Sequence, residues 1–269
     1  MKSNFLKKTV SMALVVTMCS GIACSAGFLT KAAELEKIED NIVAAQSLEV
    51  QTGLTSQVGA NVGDRFEVDG LTYRVTDETS VAVVSYDSRD INLDVPATVS
   101  YNQKLYKVTS IGDYAFYKCT NLHEINLPDS ITSIENFAFA CCTSLQSVHL
   151  SDSITSISAC VFYDCESLQT INLPDSITSI KDFAFQFCSS LKGICLPNSL
   201  TYIGICAFAS SGLTKIYLPN SLTSIGNGAF ARCKNLRGFT APAQLKSDIK
   251  EREVFEECNK FKLRNIRYY

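Results

Sequence analysis

The 269-residue sequence contains no tryptophan, only two histidines and no Asn-x-Ser/Thr site that would suggest N-linked glycosylation. It also has no phosphate-binding loop, no dinucleotide-binding glycine pattern and no Gly-x-Ser-x-Gly motif. The formal net charge is −3 and no basic stripe is present, which argues against nucleic acid as a partner. From these absences we expect neither a cofactor nor an enzymatic activity.

What the sequence does contain is a repeated unit of 23 residues, represented by ESLQTINLPDSITSIKDFAFQFC from Glu166 to Cys188. Phenylalanines recur at intervals of 23, 23, 23, 23, 22 and 25 residues. The aligned positions are Phe116, Phe139, Phe162, Phe185, Phe208, Phe230 and Phe255. One such unit is too small to bury a core alone, whereas stacked units share one, so the period predicts a solenoid.

Each part of the unit predicts one piece of local structure. The spacing Leu-x-x-Ile-x-Leu favours a short strand, which the following proline ends because proline has no N–H to donate. The run Ser-Ile-Thr-Ser-Ile favours a second extended segment, and Ala-Phe-x-x-Cys suits one short helical turn. Parallel strands stacked about 4.8 Å apart would place each residue against its equivalent in the next coil.

Serines lie three residues after the last leucine of the strand in successive units, and we expect their hydroxyls to bond backbone groups inside the turn. They are Ser130, Ser153, Ser176, Ser199 and Ser221.

The pattern L-x-x-I-x-L-P-x-S-[IL]-T-x-I-x-x-x-A-F-x-x-C resembles the 23-residue leucine-rich repeat of the BspA-like bacterial surface proteins, from Ile111 to about Cys258. It departs from the commoner leucine-rich repeat, which carries Asn or Cys two residues beyond its Leu-x-Leu. The resemblance implies a leucine-rich repeat solenoid with short parallel β-strands, short helical turns and an N-terminal β cap.

The N-terminus is typical of a secretory signal peptide over residues 1–33. A basic start that includes Lys7 and Lys8 precedes an uncharged stretch over residues 9–30, and residues 24–26 offer a small-residue cleavage site. An uncleaved anchor is the alternative, because 22 uncharged residues could span a bilayer. We expect a secreted or surface-exposed protein that touches a membrane only through an uncleaved or lipidated N-terminus.

The remaining chain divides into four parts. Residues 34–60 form a linker, 61–108 an N-terminal β cap with a degenerate first coil, 109–245 the solenoid, and 246–269 a polar C-terminal capping repeat.

Two details support the degenerate first coil. Asp69-Gly70 lies between alternating apolar residues, which is a strong hairpin signal. Leu93 aligns with Ile125 of the first regular repeat once nine residues, Ser100 to Val108, are treated as an inserted β-excursion.

Twelve cysteines in a secreted chain would ordinarily suggest disulfides. Cysteines at the same repeat position in neighbouring coils would lie within disulfide distance. Their side chains would point in the same direction, however, which is incompatible with the dihedral angle that a disulfide needs. We therefore expect a buried, reduced ladder, and the lack of any Cys-x-x-Cys pair argues against zinc. Its members are Cys119, Cys142, Cys165, Cys188, Cys233 and Cys258.

Other polar residues give weak signals for chemistry. His123 and His149 occupy different repeat positions, and Cys195 lies two coils beyond His149, at about 10 Å, too far for a Cys-His dyad. The aspartates that follow the strands could form a calcium-binding rim, but Asp and Asn also suit turns, and we favour turn chemistry. They are Asp129, Asp152 and Asp175, continued by Asn198 and Asn220.

The best candidate binding surface is the outward side of the first strand of each coil. Its residues are small, mixed and mostly neutral, which suits a flat protein or glycan contact more than a small-molecule pocket. The candidate partner-binding residues are Glu124, Asn126, His149, Thr170, Asn172, Cys195, Lys215 and Tyr217.

BspA-like proteins are associated with adhesion, so the resemblance implies binding to host matrix or cell-surface proteins, or to other cells. The alternative is a structural cell-envelope protein with no soluble ligand. An enzyme is the third hypothesis, disfavoured because no catalytic constellation is present in the sequence.

Overall fold

The computed structural model describes residues 59–87, 89–251, 253–258, 261 and 266–269. The expected signal peptide and nearly all of the expected linker lie outside these residues. Within them, no helix is both long and apolar enough to cross a membrane.

The N-terminal part of the described chain is a sheet with the strand order β1-β2-β3-β6-β5. Strands β1 (Arg65–Val68) and β2 (Leu71–Val75) pair in antiparallel orientation, and β2 pairs in the same way with β3 (Ser80–Tyr86). Asp69 and Gly70 have φ angles of 50° and 75°, the positive values that a tight two-residue hairpin needs. The hairpin predicted from Asp69-Gly70 is confirmed.

The first coil of the solenoid is also as predicted. Strand β4 (Asn92–Asp94) pairs in parallel with β7 (Glu124–Asn126), with Leu93 opposite Ile125. The inserted residues form an antiparallel hairpin of β5 (Thr98–Tyr101) and β6 (Lys104–Ile111). The excursion therefore adds two strands to the N-terminal sheet without disturbing the repeat register. The capping role of residues 61–108 and the domain boundaries remain predictions.

One side of the solenoid carries the Leu-x-x-Ile-x-Leu strands in two separate parallel sheets. The first sheet contains β4, β7, β9 (Ser147–His149) and β11 (Thr170–Ile171). The second contains β14 (Lys215–Tyr217), β16 (Gly238–Ala241) and β17 (Ile266–Tyr268).

The Ser-Ile-Thr-Ser-Ile segments form two-residue strands on another side. Strand β8 pairs with β6, and a separate parallel sheet joins β10, β12, β13 and β15. Their bounds are β8 Ser133–Ile134, β10 Ser156–Ile157, β12 Ser179–Ile180, β13 Tyr202–Ile203 and β15 Ser224–Ile225. Near the C-terminus, a 3₁₀-helix (Ala243–Leu245) leads into the helix α1 (Lys246–Glu251).

The Ala-Phe-x-x-Cys segments form tight turns where the sequence predicted a helical turn. In the coil around Phe185, the N–H groups of Phe185 and Phe187 donate to the next coil, at 2.7 and 3.0 Å, while Gln186 donates back to Phe183 at 3.2 Å. Phe183 and Phe187 have positive φ angles of 60° and 65°. This alternation turns every second N–H toward the neighbouring coil, which an α-helix with its i−4 bonds would not allow.

A column of phenylalanine rings runs through the core. Phe185 is fully buried between Phe162 and Phe208, with ring centroids 5.4 and 5.1 Å away and interplanar angles of 17° and 7°. Equivalent stacking continues from Phe116 to Phe255. The column thus links successive coils through one continuous apolar contact.

The cysteine ladder is confirmed as a packing feature. The ten cysteines of the described residues carry no disulfide, and the buried column members donate Sγ–H to the phenylalanine carbonyl of the preceding coil. Cys142 donates to Phe116 at 3.0 Å, and Cys188 to Phe162 at 3.1 Å. In the coil without a cysteine, Ser211 takes the position and lies 3.3 Å from Cys233 Sγ.

The turn serines bond in a different way from the expected one. Each donates to a backbone carbonyl of the preceding coil: Ser176 to Ile154 at 2.5 Å and Ser199 to Ile177 at 2.6 Å, for example. Ser130 is the exception, since its hydroxyl is buried with no hydrogen-bond partner among the described residues. Parallel stacking brings a carbonyl of the previous coil within hydrogen-bond reach of the hydroxyl.

Replacing Phe185 with alanine should destabilise the protein by about 3–5 kcal/mol, because it opens a cavity between two stacked rings. Thr178→Ala in the same coil is the matched control. Thr178 is exposed and loses one hydrogen bond, to Thr155 at 3.1 Å, so its cost should be about 1 kcal/mol. Chemical denaturation measures both, and equal losses would contradict the central position of Phe185.

Candidate functional site

The strand face is defined here as the outward-pointing residues of β4, β7, β9, β11, β14, β16 and β17, together with Asn172 and the segment Gly193–Cys195. Strand alternation creates it, because Ile125 and its equivalents point into the core while the residues on either side point outward. The structure places all the sequence-predicted site residues on this face. Glu124 and Asn126 are half-buried there. The exposed ones are His149, Thr170, Asn172, Cys195, Lys215 and Tyr217.

The face is interrupted in its middle. Residues 192–196 adopt no strand conformation, so β11 on one side and β14 on the other are not joined by a strand. The two neighbouring coils remain hydrogen-bonded at the start of this segment. Thr214 donates its N–H and its hydroxyl to the Lys192 carbonyl oxygen, at 3.0 and 3.1 Å. The predicted sites therefore fall into two groups, with Asn172 and Cys195 between them.

Gly193, which lies in the predicted strand, is the feature of the sequence that could have revealed this interruption. Glycine weakens a strand because it offers no side chain to pack and loses more entropy on folding. At Gly193 an added Cβ would meet no atom within 4 Å. The segment is thus open on its outward side, and Cys195 is an exposed thiol within it.

Polar contacts link the N-terminal end of the face. His149 Nε2 lies 3.4 Å from Glu124 Oε1, with the two side chains 66% and 40% exposed. Asn126 donates to Asp94 Oδ1 at 2.6 Å. Because both pairs are exposed, they order the surface more than they stabilise the fold.

Sequence reasoning missed several residues that extend the face. Strand pairing places Asp94 opposite Asn126 at one end, Thr240 opposite Tyr217, and Arg267 opposite Thr240 at the other end. Asp94 lies in the degenerate coil that had already been aligned with the repeats, so it could have been found. Arg267 lies beyond the last recognisable repeat and could not.

Tyr217 is the large apolar side chain on this face that is most open to solvent, with 68% of its surface exposed. It lies in β14 beside Lys215, which is also exposed. Tyrosine combines a broad apolar ring with a polar tip, which suits a contact with another protein.

The residues considered for chemistry do not assemble into a reactive centre. His123 Nδ1 lies 2.8 Å from the Asn121 carbonyl oxygen. Asp129, Asp152 and Asp175 are exposed in turns. Across the part of the chain that the structure describes, no group of three or more His, Cys, Asp or Glu residues could hold a metal ion.

Three buried thiols of the ladder are held in their protonated form. Burial raises the pKa of the Cys142, Cys165 and Cys188 thiols well above the ordinary range. Cys141, at the edge of the core, has its pKa raised to about 11 by burial and by the neighbouring Asp164 carboxylate. Since the thiolate is the nucleophile, these cysteines are unreactive at neutral pH.

The parallel coils, the phenylalanine column and the extended strand face define a leucine-rich repeat solenoid. The model of the BspA type leucine rich repeat region matches in six copies, over residues 109–237 and 155–267. The chain belongs to this family, as its repeat pattern predicted.

Solved structures of two bacterial repeat proteins are similar. A leucine-rich repeat protein from Bacteroides ovatus is 30% identical, with 73% of this chain and 46% of that chain covered and a TM-score of 0.50. The T. pallidum Leucine Rich Repeat protein is 25% identical, with 75% and 92% covered and a TM-score of 0.64. The chain thus spans less than half of the Bacteroides ovatus protein. A comparison with curated proteins finds no match.

Cys195 should be the first thiol to react with a thiol-specific reagent in the folded protein, because it is exposed while most ladder thiols are buried. Cys195→Ser should remove the fast phase of labelling, whereas Cys188→Ser should leave it unchanged. Stopped-flow labelling at pH 8, with denatured protein as reference, measures this. A fast phase that survives Cys195→Ser would contradict the assignment.

Alanine should be tolerated at Gly193 and not at Gly212. A Cβ at Gly193 meets nothing, whereas one at Gly212 collides with the backbone carbonyl oxygen of Ser189 in the preceding coil. We expect a change within about 0.5 kcal/mol for Gly193→Ala and a loss of about 1–3 kcal/mol for Gly212→Ala. Denaturant unfolding compares them, and the reverse order would mean that the open segment is packed.

Proposed function

We propose that this protein is a secreted or surface-exposed adhesin that binds another protein through the strand face and carries out no catalysis. The observation that carries the proposal is the 68% exposure of Tyr217 on the strand face. Membership of the BspA type repeat family supports an interaction role. Solenoids of this kind commonly bind through extended surfaces because each coil offers only two or three side chains.

Secretion is supported by the sequence of residues 1–33, with its basic start, uncharged stretch and small-residue cleavage site. The partners that fit this location are host matrix proteins, cell-surface proteins or other cells. The exposed, mostly neutral middle of the face suits a protein contact of moderate affinity. Tyr217 and Lys215 would supply an aromatic and a charged anchor in its C-terminal half.

The experiment is a binding screen of the protein against immobilised matrix proteins and intact cells, run beside a panel of hydrolase substrates. Saturable binding without turnover supports the proposal. Turnover would identify an enzyme, and the absence of both binding and turnover would favour a structural role in the cell envelope.

Tyr217→Ala should weaken binding of the partner found in that screen by about 1–2 kcal/mol, because aromatic anchors carry a large share of interface energy. The melting temperature should hardly change, since the side chain is exposed. Asp152→Ala, in the exposed turn column, is the matched control and should bind normally. Surface plasmon resonance measures both variants.

A triple variant at His149, Asn172 and Tyr217 broadens this test across the interruption in the face. Undiminished binding by the triple variant would move the binding site away from the strand face, to the turns or to the N-terminal sheet.

A further inference from the structure

The strand face has a different charge at each end. The outward residues of the first sheet include the carboxylates of Asp94 and Glu124 and no lysine or arginine among the described positions. Those of the second sheet include Lys215 and Arg267 and no described carboxylate. The interrupted coil at Gly193 separates the two halves and is uncharged on this face.

The segments that flank the face follow the same gradient. After the strands, the exposed turn column begins with three aspartates and continues with two asparagines. Before the strands, the exposed residues in the C-terminal half include Lys192 and Arg237, where the preceding coils carry Gln146 and Gln169. The strand residues and these flanking positions are therefore more acidic in the N-terminal half and more basic in the C-terminal half, with the exposed Arg89 before β4 as the exception.

A surface with this arrangement is complementary to itself after a twofold rotation. We propose that two copies of this chain associate through their strand faces with the solenoid axes antiparallel, so that the acidic half of each meets the basic half of the other. This inference rests on the proposed function because both use the strand face for binding. It differs in that the bound partner is a second copy of this chain. Parallel association would instead place like charges together.

The register of the strands gives the pairing in this arrangement. Along the face, one column of outward residues runs from Asp94 to Arg267. Its members in order are Asp94, Asn126, His149, Asn172, Cys195, Tyr217, Thr240 and Arg267.

A twofold axis between Asn172 and Cys195 places Asp94 opposite Arg267 of the second copy. The same axis places His149 opposite Tyr217, and Glu124 beside the segment that begins with Arg237. Each contact occurs twice, as a twofold interface requires.

The contact area is typical of a weak protein–protein association. Seven steps of about 4.8 Å and a width of four strand residues give roughly 450 Å² for each copy. The total of roughly 900 Å² lies below the area of about 1,200 Å² at which stable interfaces begin. Electrostatic attraction between exposed charges would be its main source of specificity, so it should depend strongly on salt.

Charge reversal with the full chain tests the pairing directly. Asp94→Arg and Arg267→Asp should each weaken self-association roughly tenfold or more, because both twofold-related contacts become like-charge pairs. An equimolar mixture of the two variants should associate as the unaltered protein does, since both contacts between unlike chains are again complementary. Sedimentation velocity over about 5–200 μM, at low salt and with a reductant, measures this.

Glu166→Arg and Lys181→Asp are matched controls, because both side chains are exposed and lie off the strand face. They should self-associate normally, alone and mixed. The unaltered chain should associate at about 20 mM salt and be monomeric at about 1 M salt, because the electrostatic screening length falls to about 3 Å.

The proposal is overturned if the unaltered chain is monomeric at low salt, if salt has no effect, or if the mixture fails to associate while both variants keep the parental melting temperature. Because these measurements contain no other partner, they are independent of the adhesion screen. A monomeric chain that binds a matrix protein would refute self-association alone. A dimer that binds nothing would refute the adhesive role alone.

Discussion

The constraint on which this structure depends is that every coil is hydrogen-bonded to an in-register neighbour. Backbone donors such as those of Phe185 and Phe187 are satisfied only by the next coil, and the serine hydroxyls of the turns reach back to the previous one. A coil removed from the stack would leave these groups unpaired. The stacked backbone therefore fixes the spacing, and the side chains must fill the interior at that spacing.

This spacing accounts for the uniformity of the core. Each buried residue packs against its own equivalent about one strand spacing away, so a residue type that stacks well on itself can occupy a whole column. Phenylalanine does so with ring centroids about 5.0–5.5 Å apart through most of the column. Cysteine does so because its small thiol also reaches the carbonyl of the preceding coil, and Ser211 can replace it since a hydroxyl fits the same space.

The sequence predicted the features that arise when equivalent residues of successive coils pack on one another. It missed the features that depend on the local backbone conformation. Period, strand position, the hairpin at Asp69-Gly70 and the alignment of Leu93 with Ile125 were all recoverable, because apolar spacing and turn residues determine them. The tight turns at the Phe-x-x-Cys segments were not, since near-helical spacing is compatible with both conformations. On the strand face, the residues were placed correctly, but the interruption at Gly193 and the pairing of His149 with Glu124 depend on neighbours that a single repeat does not specify.

The same stacking makes the charges of the strand face informative. Two like charges in neighbouring coils, about 4.8 Å apart, repel by roughly 0.9 kcal/mol even at the dielectric constant of water. Neutral residues would therefore be the simplest occupants of an outward column. The charged residues of the face lie in its two halves, with opposite signs, and Thr170, Asn172 and Gly193 keep its middle neutral. Among the described residues no two like charges occupy neighbouring positions of one outward column of the strand face, as this repulsion predicts.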